Sequence, residues 1–159
     1  MSDFNVYYGA AEALRNTDQV YGIAFGLSSG YYKYSPEALV LFLPFSYLSY
    51  NLAAICYYLF TVFIFLGIIS ELKSLAYRFE LNERKAEWFT VFILLLGADF
   101  IEREFFLGNV NALILYLLLL TARWANSKQE IKAGILVGIV LVLKVHFVIL
   151  IPYLIWKKQ

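Results

Sequence analysis

The chain has 159 residues, 62% of them hydrophobic and 19% aromatic, with a net charge of +1. Soluble domains are usually about 45–50% apolar, so with a mean hydropathy of +0.68 this composition belongs to the membrane class. The near-neutral charge, without long basic blocks, excludes a nucleic-acid partner. The single cysteine, Cys56, excludes an internal disulfide and has no metal-ligand spacing around it.

Residues 3–15 fit an amphipathic helix. Phe4, Tyr7, Tyr8, Ala11 and Leu14 recur at spacings of three and four, while Asn5, Gly9, Glu12 and Arg15 fall largely on the other side. The segment is too polar to span a bilayer and reads as lying in the interface plane. Residues 16–33 carry Asn16, Asp18, Gly22, Gly26, Ser28, Ser29 and Gly30, which predicts a loop rich in turn formers. Residues 1–33 thus form an extracytoplasmic loop with an interfacial helix, and 34–159 a transmembrane helical region.

Residues 38–48 are apolar but short and contain Pro44, so 34–50 either spans or dips in and returns. Residues 52–70 match the roughly 20 residues of a spanning helix. A charged connection follows at 71–87, then an apolar run at 88–101, the charged patch around Arg103, another apolar run at 110–122, and a basic connection at 123–132. Residues 133–156 are apolar except for Lys144 and His146. They form either one helix with Lys144 near mid-depth or two pieces broken near 144–146. The expected fold is all-α and polytopic, with roughly five to seven membrane helices. Placing the connections at 71–87 and 123–132 and the end at Lys157 in the cytoplasm gathers Asp3, Asn109, Asn111, Lys144 and His146 at one outer face.

Several of these residues carry two readings. Asp3 fits a helix N-cap, or a general base on an acceptor hydroxyl. An ammonium such as Lys144 in an apolar helix costs about 2.5–3.5 kcal/mol at the bilayer centre. It either snorkels to an interface or meets an anion such as a lipid-linked phosphate. His146, two positions on, does not share its face on a continuous helix, but can in a broken one. Arg103, between Glu102 and Glu104, belongs to a solvated or self-paired cluster, or contacts phosphate. Asn109 caps the helix that follows or binds a sugar hydroxyl, with Asn111 beside it. No P-loop, nucleophile elbow, paired-cysteine or zinc-protease motif is present in the sequence.

Four stretches together resemble a known family: "DFNVYYGAAEAL" from residue 3, "YYKYSPEALVLFLPFSYLS" at 31–49, "LGNVNALILYLLLL" at 107–120 and "AGILVGIVLVLKVHFVILIPYLIWKK" at 133–158. In order and spacing the chain is similar to the membrane mannosyltransferases of glycosyltransferase family 87, which have the GT-C fold. The resemblance implies inverting transfer of a hexose, mannose in the typical member, from a polyprenyl-phosphate-linked donor to a lipid or glycan acceptor. It implies Asp3 as base, and it matches Lys144 and the stretch Gly108, Asn109, Val110 and Asn111 to family motifs, with Lys144 at the donor phosphate and Asn109 and Asn111 at the sugar or acceptor. To these the residues themselves add Arg103 at the donor phosphate and His146 and Tyr7 at the sugar or acceptor. No cofactor and no metal are expected. The implied location is the plasma (inner) membrane, with the site on the extracytoplasmic side.

The chain departs from the family pattern at two places. Asn109 stands where glutamine is usual, and Val145 and His146 stand where a proline normally follows the lysine. The sequence starts at the family's acid, which predicts an N-terminal portion of a longer enzyme or an inactive truncated one. The competing class is a transporter piece that uses Lys144 as an intramembrane contact.

Overall fold

The computed structural model describes residues 1–26, 30–149, 151–152 and 156. The expectations for Ser28, Ser29 and Lys157 lie outside the described residues. Among the described residues the chain is all-helical, and its single β-type feature is an isolated bridge between Ala24 and Tyr31. In order come α1 (Ser2–Arg15), α2 (Tyr50–Arg78), α3 (Glu83–Leu96), α4 (Ala98–Leu107), α5 (Asn111–Asn126) and α6 (Glu130–Leu143). Short 3₁₀ helices occupy Pro36–Leu41, Leu43–Tyr47 and Val145–Ile149.

The two prolines explain why 34–50 does not form a long helix. Pro36 and Pro44 each sit at the start of a 3₁₀ segment, where a missing N–H costs nothing. Pro36 also leaves Ser35 extended. Neither piece is long enough by itself to cross a hydrocarbon core of about 30 Å.

α2 is the one described helix long and apolar enough to cross a membrane. Its 29 residues reach about 43 Å. One stripe, Ala53, Tyr57, Thr61, Ile64, Ile68 and Leu72, is buried. Another, Leu52, Ile55, Leu59, Phe63 and Leu66, faces outward at spacings of three and four. An exposed apolar stripe of that extent needs a nonaqueous neighbour. Buried threonines spend their hydroxyls within their own helix: Thr61 donates to Tyr57, Thr90 to Ala86 and Thr121 to Leu117, all four residues back. Roughly five to seven membrane helices were expected, and the remaining described helices are shorter than a span. The apolar run at 88–101 is interrupted at Gly97, which ends α3 and starts α4, and the last run is interrupted at Lys144.

α5 is the central post, packed between α6 and α2. Tyr116 lies so close to α2 that a Cβ on Gly67 would come 2.7 Å from its ring. Farther along the same pair of helices, Arg123 donates to the buried carboxylate of Glu71 at 2.7 Å.

α1 forms the expected amphipathic helix, and much of its apolar face packs on the rest of the protein. Phe4, Tyr7, Ala10 and Ala11 are buried against protein, while Leu14 is exposed. Phe4 stacks on Tyr57 of α2 with centroids 4.5 Å apart and meets Phe45 edge-on. Each such aromatic pair contributes about 0.5–1.5 kcal/mol beyond area burial. Polar bonds add to this packing: Asn5 donates to the Phe25 carbonyl at 2.8 Å, Tyr8 to the Leu48 carbonyl at 2.8 Å, and Arg15 to the Ser46 carbonyl. These contacts hold the helix against the protein.

The Glu71–Arg123 pair makes an asymmetric prediction. Arg123→Ala leaves a carboxylate buried without its cation, and lowers stability by about 1–3 kcal/mol, allowing for the half-exposed arginine. Glu71→Ala leaves an arginine that can reach solvent and costs less. Thermal denaturation of the purified chain in detergent checks the order; equal losses contradict it.

Candidate functional site

The site is built where two helix ends and one helix break converge. α4 ends at Gly108, whose φ of +69° is left-handed, and Gly108 donates its N–H to the Glu104 carbonyl at 2.8 Å. Asn109 follows, and its side-chain Oδ1 accepts from the Asn111 N–H at 2.9 Å, closing the turn into α5. This is the capping reading of Asn109, and it leaves the amide NH₂ as a donor for other partners. The Asn109 carbonyl accepts from the Tyr57 hydroxyl at 2.9 Å, which ties the turn to α2.

α6 stops at Leu143. Lys144 is extended, with φ −147° and ψ 101°, and a 3₁₀ helix follows at once. Of the two alternatives for 133–156, the described residues show the broken one. Ser35 donates its hydroxyl at 2.9 Å to the carbonyl of Val142, one of the acceptors that the end of α6 leaves open. Lys144 is half-buried and donates its ammonium to Oδ1 of Asn111. The break therefore carries the cation onto the first residue of α5.

Asp3 stands on α1, at the same end of the bundle. It is in the first turn of the helix, not at its cap, and that N-terminus has no side-chain cap bond. The carboxylate accepts from Ser2 at 3.5 Å and is half-exposed, so it is available for chemistry and favoured there by the helix dipole. The contact that joins α1 to the turn is Gly108: a Cβ on it would lie 2.8 Å from Phe4 Cβ and 3.1 Å from Met1 Cβ. Only a residue without a side chain admits the start of α1 this closely. A hollow of about 380 Å³ lies at the start of α1, lined by Met1, Ser2, Asn5, Gly26 and Tyr50 and not by Asp3.

The other expected residues are placed differently. Tyr7 is buried, and its hydroxyl donates to that of Tyr34 at 3.1 Å. Burial above all, then the neighbouring Tyr34, push its phenol pKa up, so it stays protonated as a structural donor. Arg103 is exposed on α4. His146 is exposed on the 3₁₀ segment against Phe147, with centroids 4.9 Å apart. Neither belongs to the Asn111–Lys144 contact. Among the described residues no group of three or more potential metal ligands is present.

One residue was hidden in the sequence. Glu104, grouped there with Arg103, turns inward and is 7% exposed. Its Oε1 accepts from Asn111 Nδ2 at 2.8 Å and its Oε2 from the Ala112 N–H at 3.0 Å. Next to it opens a cavity of about 500 Å³, walled mainly by apolar residues such as Phe65, Ile68, Ile93 and Leu115, with Glu104 and Asn111 contributing its polar lining.

Gly108 gives a direct check on this geometry. Gly108→Ala combines a left-handed side chain with a clash on α1, and lowers stability by about 1–3 kcal/mol. A thermal midpoint equal to the parent's contradicts the packing of α1 on this turn.

The model of glycosyltransferase family 87 matches residues 32–159, while no curated protein and no solved structure matches the chain. The match takes in Arg103, Glu104, Asn109, Asn111, Lys144 and His146; Asp3 and Tyr7 precede it. It decides between the two expected classes in favour of a transferase over a transporter. The chain belongs to glycosyltransferase family 87, a membrane-associated family of enzymes that transfer sugars.

Proposed function

We propose that the chain carries the active site of a polytopic, integral plasma-membrane hexosyltransferase that works on the extracytoplasmic side. The donor in this reading is a polyprenyl-phosphate-linked hexose, mannose by the family resemblance, and the acceptor is a hydroxyl of a lipid or glycan. The observation that carries it is the meeting of Lys144 and Asn111 on the turn against which the Asp3 helix is packed. A cation on a broken helix suits a phosphate, because the ammonium has further N–H donors besides the one given to Asn111. The adjacent apolar cavity, with polar groups at Glu104 and Asn111, suits a lipid chain ending in a polar head. The outward apolar stripe of α2 suits a bilayer.

The chemistry follows from these placements. Asp3 accepts the proton of the acceptor hydroxyl, and the oxygen attacks the anomeric carbon from the face opposite the phosphate. The bond from that carbon to the phosphate oxygen breaks, and polyprenyl phosphate leaves with the electron pair. The configuration inverts. Lys144 stabilises the negative charge that grows on the leaving phosphate, an interaction stronger in the transition state than before it. Asn109 offers its NH₂ to a sugar hydroxyl. Arg103 and His146, both exposed, are available to the donor phosphate and the acceptor when these dock from outside.

Asp3→Asn tests the base. In membranes containing the protein, transfer from a radiolabelled polyprenyl-phosphate mannose falls by about 10²–10⁴-fold, with the thermal midpoint unchanged. Full activity in this variant removes Asp3 from the role.

A further inference from the structure

Glu104 is a buried carboxylate to which neither the sequence nor the proposed reaction gives a task. Glu104 takes part in neither the Glu12–Arg15 nor the Glu71–Arg123 ion pair. Its two oxygens have separate partners. Oε2 takes the Ala112 N–H, one of the open donors at the start of α5. Oε1 takes Asn111 Nδ2 at 2.8 Å.

The second bond fixes which way the Asn111 amide points. A carboxylate only accepts, so the NH₂ must face Glu104. The amide oxygen is then turned the other way, where Lys144 meets it. Lysine only donates, so that oxygen is the one end of the amide it can use. Rotating the amide by 180° would place NH₂ against the ammonium and oxygen against the carboxylate, and break both bonds. The chain of donors and acceptors Lys144–Asn111–Glu104 thus has one allowed direction, and the buried acid sets it. It also brings a negative charge within two hydrogen bonds of the cation.

We infer that Glu104 is a positioning residue, which acts through Asn111 to hold the Lys144 ammonium where the donor phosphate docks. The inference rests on the reading of Lys144 as the phosphate contact. Glu104 itself touches no reacting atom.

The test uses the full chain in detergent or nanodiscs and reads binding of polyprenyl monophosphate, with no sugar attached. Lys144→Ala weakens binding by about tenfold, as expected for a lost charge-assisted bond. Glu104→Gln offers an NH₂ or a single oxygen where two acceptors stood, and weakens binding by about five- to tenfold. Its effect disappears in the Lys144→Ala background. Asn111→Asp alone sets two carboxylates face to face and also weakens binding.

The decisive variant combines Glu104→Gln with Asn111→Asp. The introduced amide then accepts from the Ala112 N–H and donates to the introduced carboxylate, whose second oxygen accepts from Lys144. The relay is rebuilt with the same total charge, and affinity returns to within about threefold of the parent, a residual of less than one hydrogen bond. If the double variant binds no better than Glu104→Gln, or if Glu104→Gln binds like the parent while Lys144→Ala does not, the positioning role is overturned and the phosphate reading stands. Unchanged binding in Lys144→Ala removes the phosphate reading and the positioning role together. Thermal midpoints separate these outcomes from simple unfolding, because a helix-capping role alone predicts lost stability without rescue by the exchanged pair.

Discussion

A carboxylate shut away from water must find hydrogen-bond donors or lose several kcal/mol, and Glu104 finds two at the start of α5. Much of the site's order follows from that requirement. The bond to Ala112 fixes α4 to α5 across the Gly108 turn. The bond to Asn111 orients the amide that receives Lys144. Because Gly108 has no side chain, the same turn accepts the N-terminus of α1 against it. Three segments distant in sequence are drawn together by one short connection, which keeps the Asn109 NH₂ open as a donor.

The rest of the helical frame serves the same economy of polar groups. Threonine hydroxyls return to their own helices, the end of α6 borrows a hydroxyl from Ser35, and Asn109 closes its own turn. In a protein with so much outward apolar surface, unsatisfied backbone groups are tolerated only where protein or a cavity covers them. The breaks at Gly97 and Lys144 therefore mark where the chain gives up helix continuity. At Lys144 it gains a half-buried cation directed at a turn, which an unbroken helix would have placed along the helix wall.

Parts of this arrangement were legible in the sequence. The shortness of the apolar run and Pro44 argued against a simple span, and the structure resolves the stretch into 3₁₀ pieces. The pair Lys144 and His146 inside an apolar run raised a break as one of two outcomes, and the break is present. The periodicity of residues 3–15 gave an apolar face around Phe4, Tyr7 and Ala11, all of them buried. Periodicity does not say what covers a face, and protein covers Phe4, Tyr7 and Ala11. Tyr7 illustrates the cost: an aromatic hydroxyl on an amphipathic helix resembles a ligand contact until its partner, Tyr34, is seen. Glu104 was illegible because a Glu-Arg-Glu run reads as a solvated cluster. The available signal was its position, four residues before the glycine that ends α4 and seven before the first residue of α5, where a carboxylate folds back onto an open helix start.

Family membership fixes the class of reaction, and its match begins after α1. The assignment of chemistry to Asp3 thus depends on space: the first turn of α1 and the Lys144 break must serve one bound donor. An experimental structure of the protein with polyprenyl monophosphate tests this most directly. The phosphate is expected within hydrogen-bond distance of Lys144 Nζ, its lipid chain in the apolar cavity beside Glu104, and its open side toward Asp3. A phosphate seated elsewhere, with Lys144 still bound to Asn111 alone, contradicts a shared site for these residues.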